Sequence, residues 1–145
     1  MNRAEQAFKV MGEAFANLKG IKDTTTEDKF CPYDGYNDDF IIEHKWRKSK
    51  YDGNTLIEKQ KYDRNINEGR RFIYAITVGN ELYLFDLTAK TAEDYDFGWK
   101  VEKGKHPATT SFSRRERVDK ETGYINFDQA KFVICLSTSR VIWRN

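Results

Sequence analysis

Three side chains that could act together on a phosphate group lie within a twelve-residue stretch: Asp34, Glu43 and Lys45. Glu43 and Lys45 follow an apolar run at residues 40–42 (FII), which is typical of a buried β-strand. Because side chains alternate along a strand, Glu43 and Lys45 should share one face while His44 points to the other. A carboxylate beside an ammonium at the end of a buried strand is suited to holding a divalent cation next to a reacting phosphate.

The position of Asp34 relative to Glu43 depends on where the intervening chain reverses. Residues 37–39 (NDD) are turn-forming, and a reversal there makes positions whose numbers sum to 77 face each other. Asp34 then lies opposite Glu43 with Cβ atoms about 5 Å apart, close enough for both carboxylates to bind one Mg²⁺. A reversal at Asp34 and Gly35 would instead place Asp28 opposite Glu43, since Asp-Gly is also a hairpin signal. We prefer the first register, and the second stays open.

These residues give the chain a resemblance to the PD-(D/E)XK nuclease superfamily, which has the restriction-endonuclease-like fold. The matching segments are Pro32-Tyr33-Asp34, in which a tyrosine separates the proline from the aspartate, and Glu43-His44-Lys45. The predicted order of elements is similar too: a helix, an acidic hairpin, the Glu-x-Lys strand, then a helix and strands. The resemblance covers about the first two-thirds of the chain. It implies an α/β domain with a central mixed β-sheet flanked by helices.

The resemblance also implies an activity, that of a metal-dependent DNA endonuclease that hydrolyses phosphodiester bonds. The cofactor would be Mg²⁺, for which Mn²⁺ can substitute. Asp34 and Glu43 would bind the metal, and Lys45 would orient the attacking water or stabilise the charge that develops on phosphorus. Homing, phage, restriction and junction-resolving enzymes all remain open.

Helical residues complete the site that the resemblance implies. A glutamate of the first helix often contributes to the metal site in this superfamily, and Glu5 is better placed for this than Glu13. By the same analogy, Gln60 and Lys61 on the following helix would support the metal-binding residues as hydrogen-bond donors.

A homo-oligomer is expected, because a small nuclease that cuts both strands of a duplex needs two equivalent active sites. Dimer and tetramer are both compatible with this argument. Trp99 and the C-terminal segment 141–143 (VIW) are candidate contacts between copies, although packing in the core is the alternative for both tryptophans.

Two basic segments are suited to contact the phosphates of DNA. The segment 45–50 directly follows the Glu-x-Lys triplet, and the segment 100–120 combines lysine and arginine with interleaved hydroxyl side chains. The candidate DNA-binding residues in them are Arg47, Lys48, Lys50, Lys103, Lys105, Arg114, Arg115 and Arg117. The same segments would serve a non-catalytic nucleic-acid-binding protein, and a protein-interaction module with a charged surface is a further alternative.

Composition bounds the remaining possibilities. The 145 residues suit one domain spanning 1–145, and a hydrophobic content of 39% supplies a core. The net charge of +2 is too small to indicate a polyanionic partner by itself. The sequence has no 18-residue apolar run and no apolar leader, which predicts a cytoplasmic protein without membrane contact. Two histidines, no closely spaced cysteine pair and no glycine-rich phosphate loop argue against a histidine metal centre, zinc binding and ATP use.

Periodicity and turn residues predict the elements that position the site. Apolar spacing predicts a first helix from Ala4 to Leu18, and a second helix should run from a cap at Asn54 or Thr55 to about Asn67. Strands are predicted at 72–78, 82–87, 132–136 and 141–143, with a short helix at 127–131 and irregular structure over 93–123. The near-continuous apolar character of 72–78 predicts a central strand.

Overall fold

A computed structural model describes residues 1–25, 30–88, 96–107 and 117–144. These ranges contain two α-helices, α1 at Arg3–Ala14 and α2 at Lys59–Ile66. Their strands are β1 Lys22–Asp23, β2 Gly35–Tyr36, β3 Phe40–Arg47, β4 Asn54–Glu58, β5 Arg71–Val78, β6 Glu81–Asp86, β7 Lys100–Pro107, β8 Arg117–Asn126, β9 Phe132–Cys135 and β10 Val141–Arg144. Short 3-10 helices cover Ala16–Leu18, Tyr51–Gly53 and Phe127–Gln129.

The strands form two sheets. The larger one is mixed and has the order β1-β2-β3-β5-β6-β9-β10, in which β3 and β5 are parallel and the other neighbours are antiparallel. The smaller one is antiparallel and has the order β4-β8-β7. Parallel neighbours need a crossover connection, and the one between β3 and β5 runs through β4 and α2. The expected mixed α/β architecture with a large mixed sheet and helices is confirmed.

Different layers cover the two faces of the large sheet. On one face α1 packs against the sheet, with Phe8 in the same buried cluster as Ile42. On the other face β4, β8 and α2 pack against it, and Ile57 and Tyr62 join Phe72 in a second buried cluster. This second face is the one on which the small sheet lies.

Helix α1 begins at a polar cap and ends earlier than predicted. The Asn2 side chain accepts a hydrogen bond from the backbone N–H of Glu5, which satisfies one of the free donors of the first turn. The helix ends at Ala14 because Phe15 is extended, with φ −136° and ψ 126°. This conformation brings the Phe15 ring to within 4.6 Å of the Phe132 ring, between centroids, and the 3-10 turn Ala16–Leu18 follows.

The β2–β3 hairpin has the register predicted from its turn residues. Gly35 pairs with Ile42 and Tyr36 with Ile41, so paired positions sum to 77. The Asn37 side-chain oxygen closes the turn by accepting hydrogen bonds from the backbone N–H groups of Asp39 and Phe40, at 3.0 and 2.9 Å. The preferred register is therefore confirmed.

The alternative reversal at Asp34 and Gly35 is wrong. Gly35 lies inside strand β2, where a Cβ atom would approach the Phe8 ring to 2.7 Å. The glycine is thus required by the close approach of α1 rather than by a turn. Asp28, the partner that the alternative would have given Glu43, lies outside the described residues.

Two segments differ from the sequence prediction. Residues 54–58, expected to begin the second helix, form β4, because Thr55 and Ile57 are buried as it pairs with β8. The segment 93–123, expected to be irregular, contains β7 and the first part of β8, which pair with each other. Gly123 of β8 packs closely against Phe97. A Cβ atom at position 123 would lie 2.5 Å from the Phe97 carbonyl oxygen.

The other predicted elements are confirmed with small changes in their bounds. Strand β5 lies between β3 and β6 as a central strand, and a turn at Gly79 joins β5 to β6. Strands β9 and β10 form the closing hairpin. Trp99 packs on the Phe97 ring at 4.8 Å between centroids, whereas Trp143 on β10 is 40% exposed.

Candidate active site

The hairpin brings Asp34 next to the middle of β3. The Asp34 backbone N–H donates to the carbonyl of Ile42, and its carboxylate Oδ2 accepts a 2.8 Å hydrogen bond from the backbone N–H of His44. The carboxyl group is therefore fixed beside Glu43 by the strand that carries Glu43. This is the proximity predicted from the register.

Glu43 is a buried carboxylate held by two lysines. Its side chain is 6% exposed, and its Oε1 lies 3.3 Å from the Nζ of Lys45 and 3.4 Å from the Nζ of Lys61. Lys45 comes from the same strand, whereas Lys61 reaches the carboxylate from α2. Strand alternation places Glu43 and Lys45 on one face, as predicted.

A third carboxylate extends this charge cluster towards the small sheet. Glu58, the last residue of β4, has its Oε2 at 3.9 Å from the Nζ of Lys61 and its Oε1 at 2.9 Å from the Nζ of Lys120 on β8. Charges therefore alternate in sign from Glu43 through Lys61 and Glu58 to Lys120. Glu58 was not among the predicted site residues, because the segment 54–58 was expected to begin a helix.

Burial and neighbouring charges perturb the acid–base behaviour of the cluster. Burial, and then the nearby carboxylate of Glu43, raise the pKa of Asp34 to about 6. Burial acts to lower the pKa of Lys61, but Glu43 and Glu58 outweigh it and hold that pKa above its ordinary value. Burial acts to raise the pKa of Glu58, but the hydrogen bond from Lys120 and the charge of Lys61 outweigh it and keep that pKa low.

A pocket of about 180 Å³ opens beside Glu43 between the two sheets. Charged side chains of β3, β4 and α2 line it together with an apolar floor that includes Phe72 and Tyr74. The Tyr74 hydroxyl donates a 2.8 Å hydrogen bond to the carbonyl of Leu56, which joins the floor to β4. Arg47, two residues beyond Lys45, also lines the pocket.

His44 points to the opposite face of β3, as predicted. Its Nε2 lies 2.8 Å from the hydroxyl of Thr77, and its ring packs edge-on against Phe8 at 6.4 Å between centroids. Burial, followed by the charge of Lys45, lowers the pKa of His44 to about 4. The imidazole is therefore a neutral packing group under α1 at physiological pH.

Of the other helical residues predicted for the site, Lys61 contacts Glu43, whereas Gln60 and Glu5 do not. Lys61 contacts Glu43, in line with its predicted supporting position. Gln60, its neighbour on α2, is exposed and borders a different pocket beside Asp63 and Lys120. Glu5 is exposed near the start of α1, where its carboxylate accepts a hydrogen bond from Asn2, and the structure does not bring it to Asp34 and Glu43.

The candidate DNA-binding residues are spread over three places. Lys48 is exposed after β3, and Lys50 donates a 2.8 Å hydrogen bond to the hydroxyl of Tyr83, away from the pocket beside Glu43. The backbone places Lys103 and Lys105 on β7 and Arg117 at the start of β8. Arg114 and Arg115 lie outside the described residues.

The chemistry of the carboxylate pair fits a hard divalent cation. Mg²⁺ is commonly held by one or two carboxylates, together with waters and substrate phosphate. Asp34 and Glu43 are neighbouring acidic groups whose repulsion contributes to the raised pKa of Asp34, and a cation shared by them would relieve it. In the part of the chain that the structure describes, no group of three or more His, Cys, Asp and Glu side chains is arranged to hold a metal.

None of the described helices is long and apolar enough to cross a membrane. No protein-family model, no curated protein and no solved structure matches this chain.

Proposed function

We propose that the chain is a Mg²⁺-dependent DNA endonuclease that hydrolyses phosphodiester bonds at the Asp34–Glu43 pair. The observation that carries the proposal is that Glu43 lines a pocket with two lysines on one carboxylate oxygen, while the His44 backbone holds the Asp34 carboxylate beside it. Placing two largely buried carboxylates side by side is costly in a metal-free protein, which favours a functional role for the pair.

The residues of this site have distinct roles in the proposed reaction. Asp34 and Glu43 would hold Mg²⁺, which would supply Lewis-acid polarisation of the scissile phosphate and a lower pKa for a bound water. Lys45, whose ammonium is 3.3 Å from Glu43, is placed to orient that water or to stabilise negative charge on the phosphate. The backbone N–H of His44 keeps the Asp34 carboxylate in position by donating a hydrogen bond to its Oδ2.

The fold supports this proposal through the connection that follows the Glu-x-Lys strand. β3 leads through β4 and α2 into the parallel neighbour β5, so α2 returns over the face that carries Glu43. The crossover delivers Lys61 to that carboxylate. Apart from the inserted strand β4, the order of helix, acidic hairpin, Glu-x-Lys strand, helix and strand is the one that the resemblance implies.

A path for DNA is supported by the basic groups near the pocket. Arg47 lines the pocket itself. Glu58, which also lines the pocket, pairs with Lys120 of β8, and the sequence of β7 and β8 is rich in lysine and arginine. Such groups contribute affinity by contacting phosphates, independently of base sequence. A symmetric homo-oligomer would present an equivalent site to each of the two antiparallel strands.

The test is incubation of the full chain with supercoiled plasmid and with branched DNA, each with Mg²⁺ and with a chelator. Glu43→Gln should abolish the metal-dependent cleavage, whereas Glu121→Gln, an exposed change of the same chemistry on β8, should leave it intact. Cleavage by Glu43→Gln at the wild-type rate would place the chemistry elsewhere.

A second candidate function is non-catalytic binding of nucleic acid through the same basic groups. It is favoured by the ion pairs of Glu43, because two lysines already compensate this carboxylate without any metal. In that case both the wild type and Glu43→Gln would bind DNA with a steep salt dependence, and neither would cleave it.

A further inference from the structure

Lys61 lies between two carboxylates that belong to different sheets. Its Nζ is 3.4 Å from Oε1 of Glu43 on β3 and 3.9 Å from Oε2 of Glu58 on β4. The side chain is 33% exposed, and its four-carbon stem gives the ammonium freedom to shift between these partners. Lys61 therefore has an alternative anion available without leaving the site.

Glu58 is positioned to serve as that alternative anion. Its Oε1 accepts a 2.9 Å hydrogen bond from Lys120 of β8, which fixes the carboxylate while its Oε2 faces Lys61. Lys45 differs from Lys61, because it pairs with Glu43 from the adjacent position on the same face of β3. The charge of Lys45 also acts on Asp34 and Glu58, but of the two ammonium groups on Glu43 it is Lys61 that lies within ion-pair distance of Glu58.

A divalent cation held by Glu43 would compete with Lys61, because two positive charges on one carboxylate repel each other. We propose that Lys61 is a resident counter-ion that a divalent cation displaces from Glu43 onto Glu58. Lys61 stays charged throughout, so the exchange breaks one ion pair and strengthens another. Glu58 is then a positioning residue that makes room for the cation, and Lys120 positions Glu58. This inference rests on the proposed metal-binding role of Asp34 and Glu43.

The test is calorimetric titration of the full chain with Mn²⁺ in the absence of DNA, so that the readout is metal affinity rather than activity. Lys61→Met should bind Mn²⁺ on the order of tenfold more tightly, because the competing charge next to Glu43 is gone. Lys59→Met is the matched control: Lys59 is on the same helix but pairs with Asp63 at 2.7 Å, so its removal should change the affinity far less.

A double-mutant cycle separates ion exchange from a general change in charge. Glu58→Gln should weaken Mn²⁺ binding in the wild type, where Lys61 loses its alternative anion, and change it less than about twofold in Lys61→Met. Equal weakening in both backgrounds would mean that Glu58 acts only through its charge and would overturn the inference. Unchanged or weaker binding by Lys61→Met would overturn it as well.

The same titration with Asp34→Asn distinguishes failure of the inference from failure of the proposed function. Loss of Mn²⁺ binding in this variant, combined with equal effects of Glu58→Gln in both backgrounds, would overturn the exchange alone. Wild-type affinity in Asp34→Asn would overturn both, since the cation would not be bound at the carboxylate pair.

Discussion

Replacing Asp34 by Asn should stabilise the metal-free protein at neutral and alkaline pH. In the fold, burial and the Glu43 carboxylate raise the pKa of Asp34 from 3.8 to about 6, so the folded state disfavours the ionised form. The difference between these values, at about 1.4 kcal/mol per pH unit, corresponds to roughly 3 kcal/mol. Asparagine avoids this cost because it is neutral, and its side-chain oxygen can still accept the hydrogen bond from the His44 backbone.

The sign of the pH dependence follows from proton binding. Between pH 3.8 and about 6 the folded state holds a proton that the unfolded state has lost, so the wild-type free energy of unfolding falls as pH rises through this window. Below the window the carboxyl is protonated in both states, and the advantage of Asp34→Asn should vanish.

Urea unfolding followed by circular dichroism, at pH 3.5 and pH 8 in the presence of a chelator, measures both limits. Asp38→Asn, which removes a carboxylate from an exposed position of the same hairpin, should change the free energy of unfolding by much less. An Asp34→Asn variant that is less stable than the wild type at pH 8 would show that folding does not destabilise the ionised Asp34 carboxyl.

Four further outcomes are expected. Lys45→Met should slow DNA cleavage on the order of 100-fold while the protein stays folded, since Lys61 still pairs with Glu43, and an unchanged cleavage rate would exclude Lys45 from the chemistry. Replacing Arg114, Arg115 and Arg117 together by Ala should flatten the salt dependence of DNA affinity by up to about three phosphate contacts, and an unchanged slope would exclude them from the interface. Gly123→Ala should lower the free energy of unfolding by about 1–3 kcal/mol in urea titrations, because the added Cβ would overlap the carbonyl oxygen of Phe97. Sedimentation at micromolar protein should reveal a symmetric oligomer, and a monomer both alone and on DNA would contradict that expectation.

Local patterns were sufficient to predict the geometry around β3. The apolar run at 40–42 and the turn residues at 37–39 act over short distances, so they determine both the strand and the register that brings Asp34 to Glu43. Helix α1 and the central strand β5 were predictable for the same reason, since each carries a strong periodicity of its own.

The small sheet was not predictable because its strands depend on partners that are distant in the chain. The segment 54–58 begins with Asn54 and Thr55, which are typical helix-cap residues, but the pairing of β4 with β8 overrides that preference. Glu58 was missed for the same reason: Lys120, which holds it, lies 62 positions further along the chain. The polar segment 93–123 contains β7 and the first part of β8, where residues such as Val101 are exposed. Its sequence therefore lacks the alternation of apolar and polar residues from which a half-buried strand is predicted.

In the proposed function, Asp34 and Glu43 together bind the metal that acts on a DNA phosphate. The most direct measurement is the anomalous diffraction of Mn²⁺ in crystals of the protein with a DNA duplex. We expect a peak contacted by the carboxylates of both residues, with a DNA phosphate beside it and within reach of Lys45. Mn²⁺ bound only elsewhere, with Lys61 still paired to Glu43 and DNA phosphate away from the pocket, would contradict it.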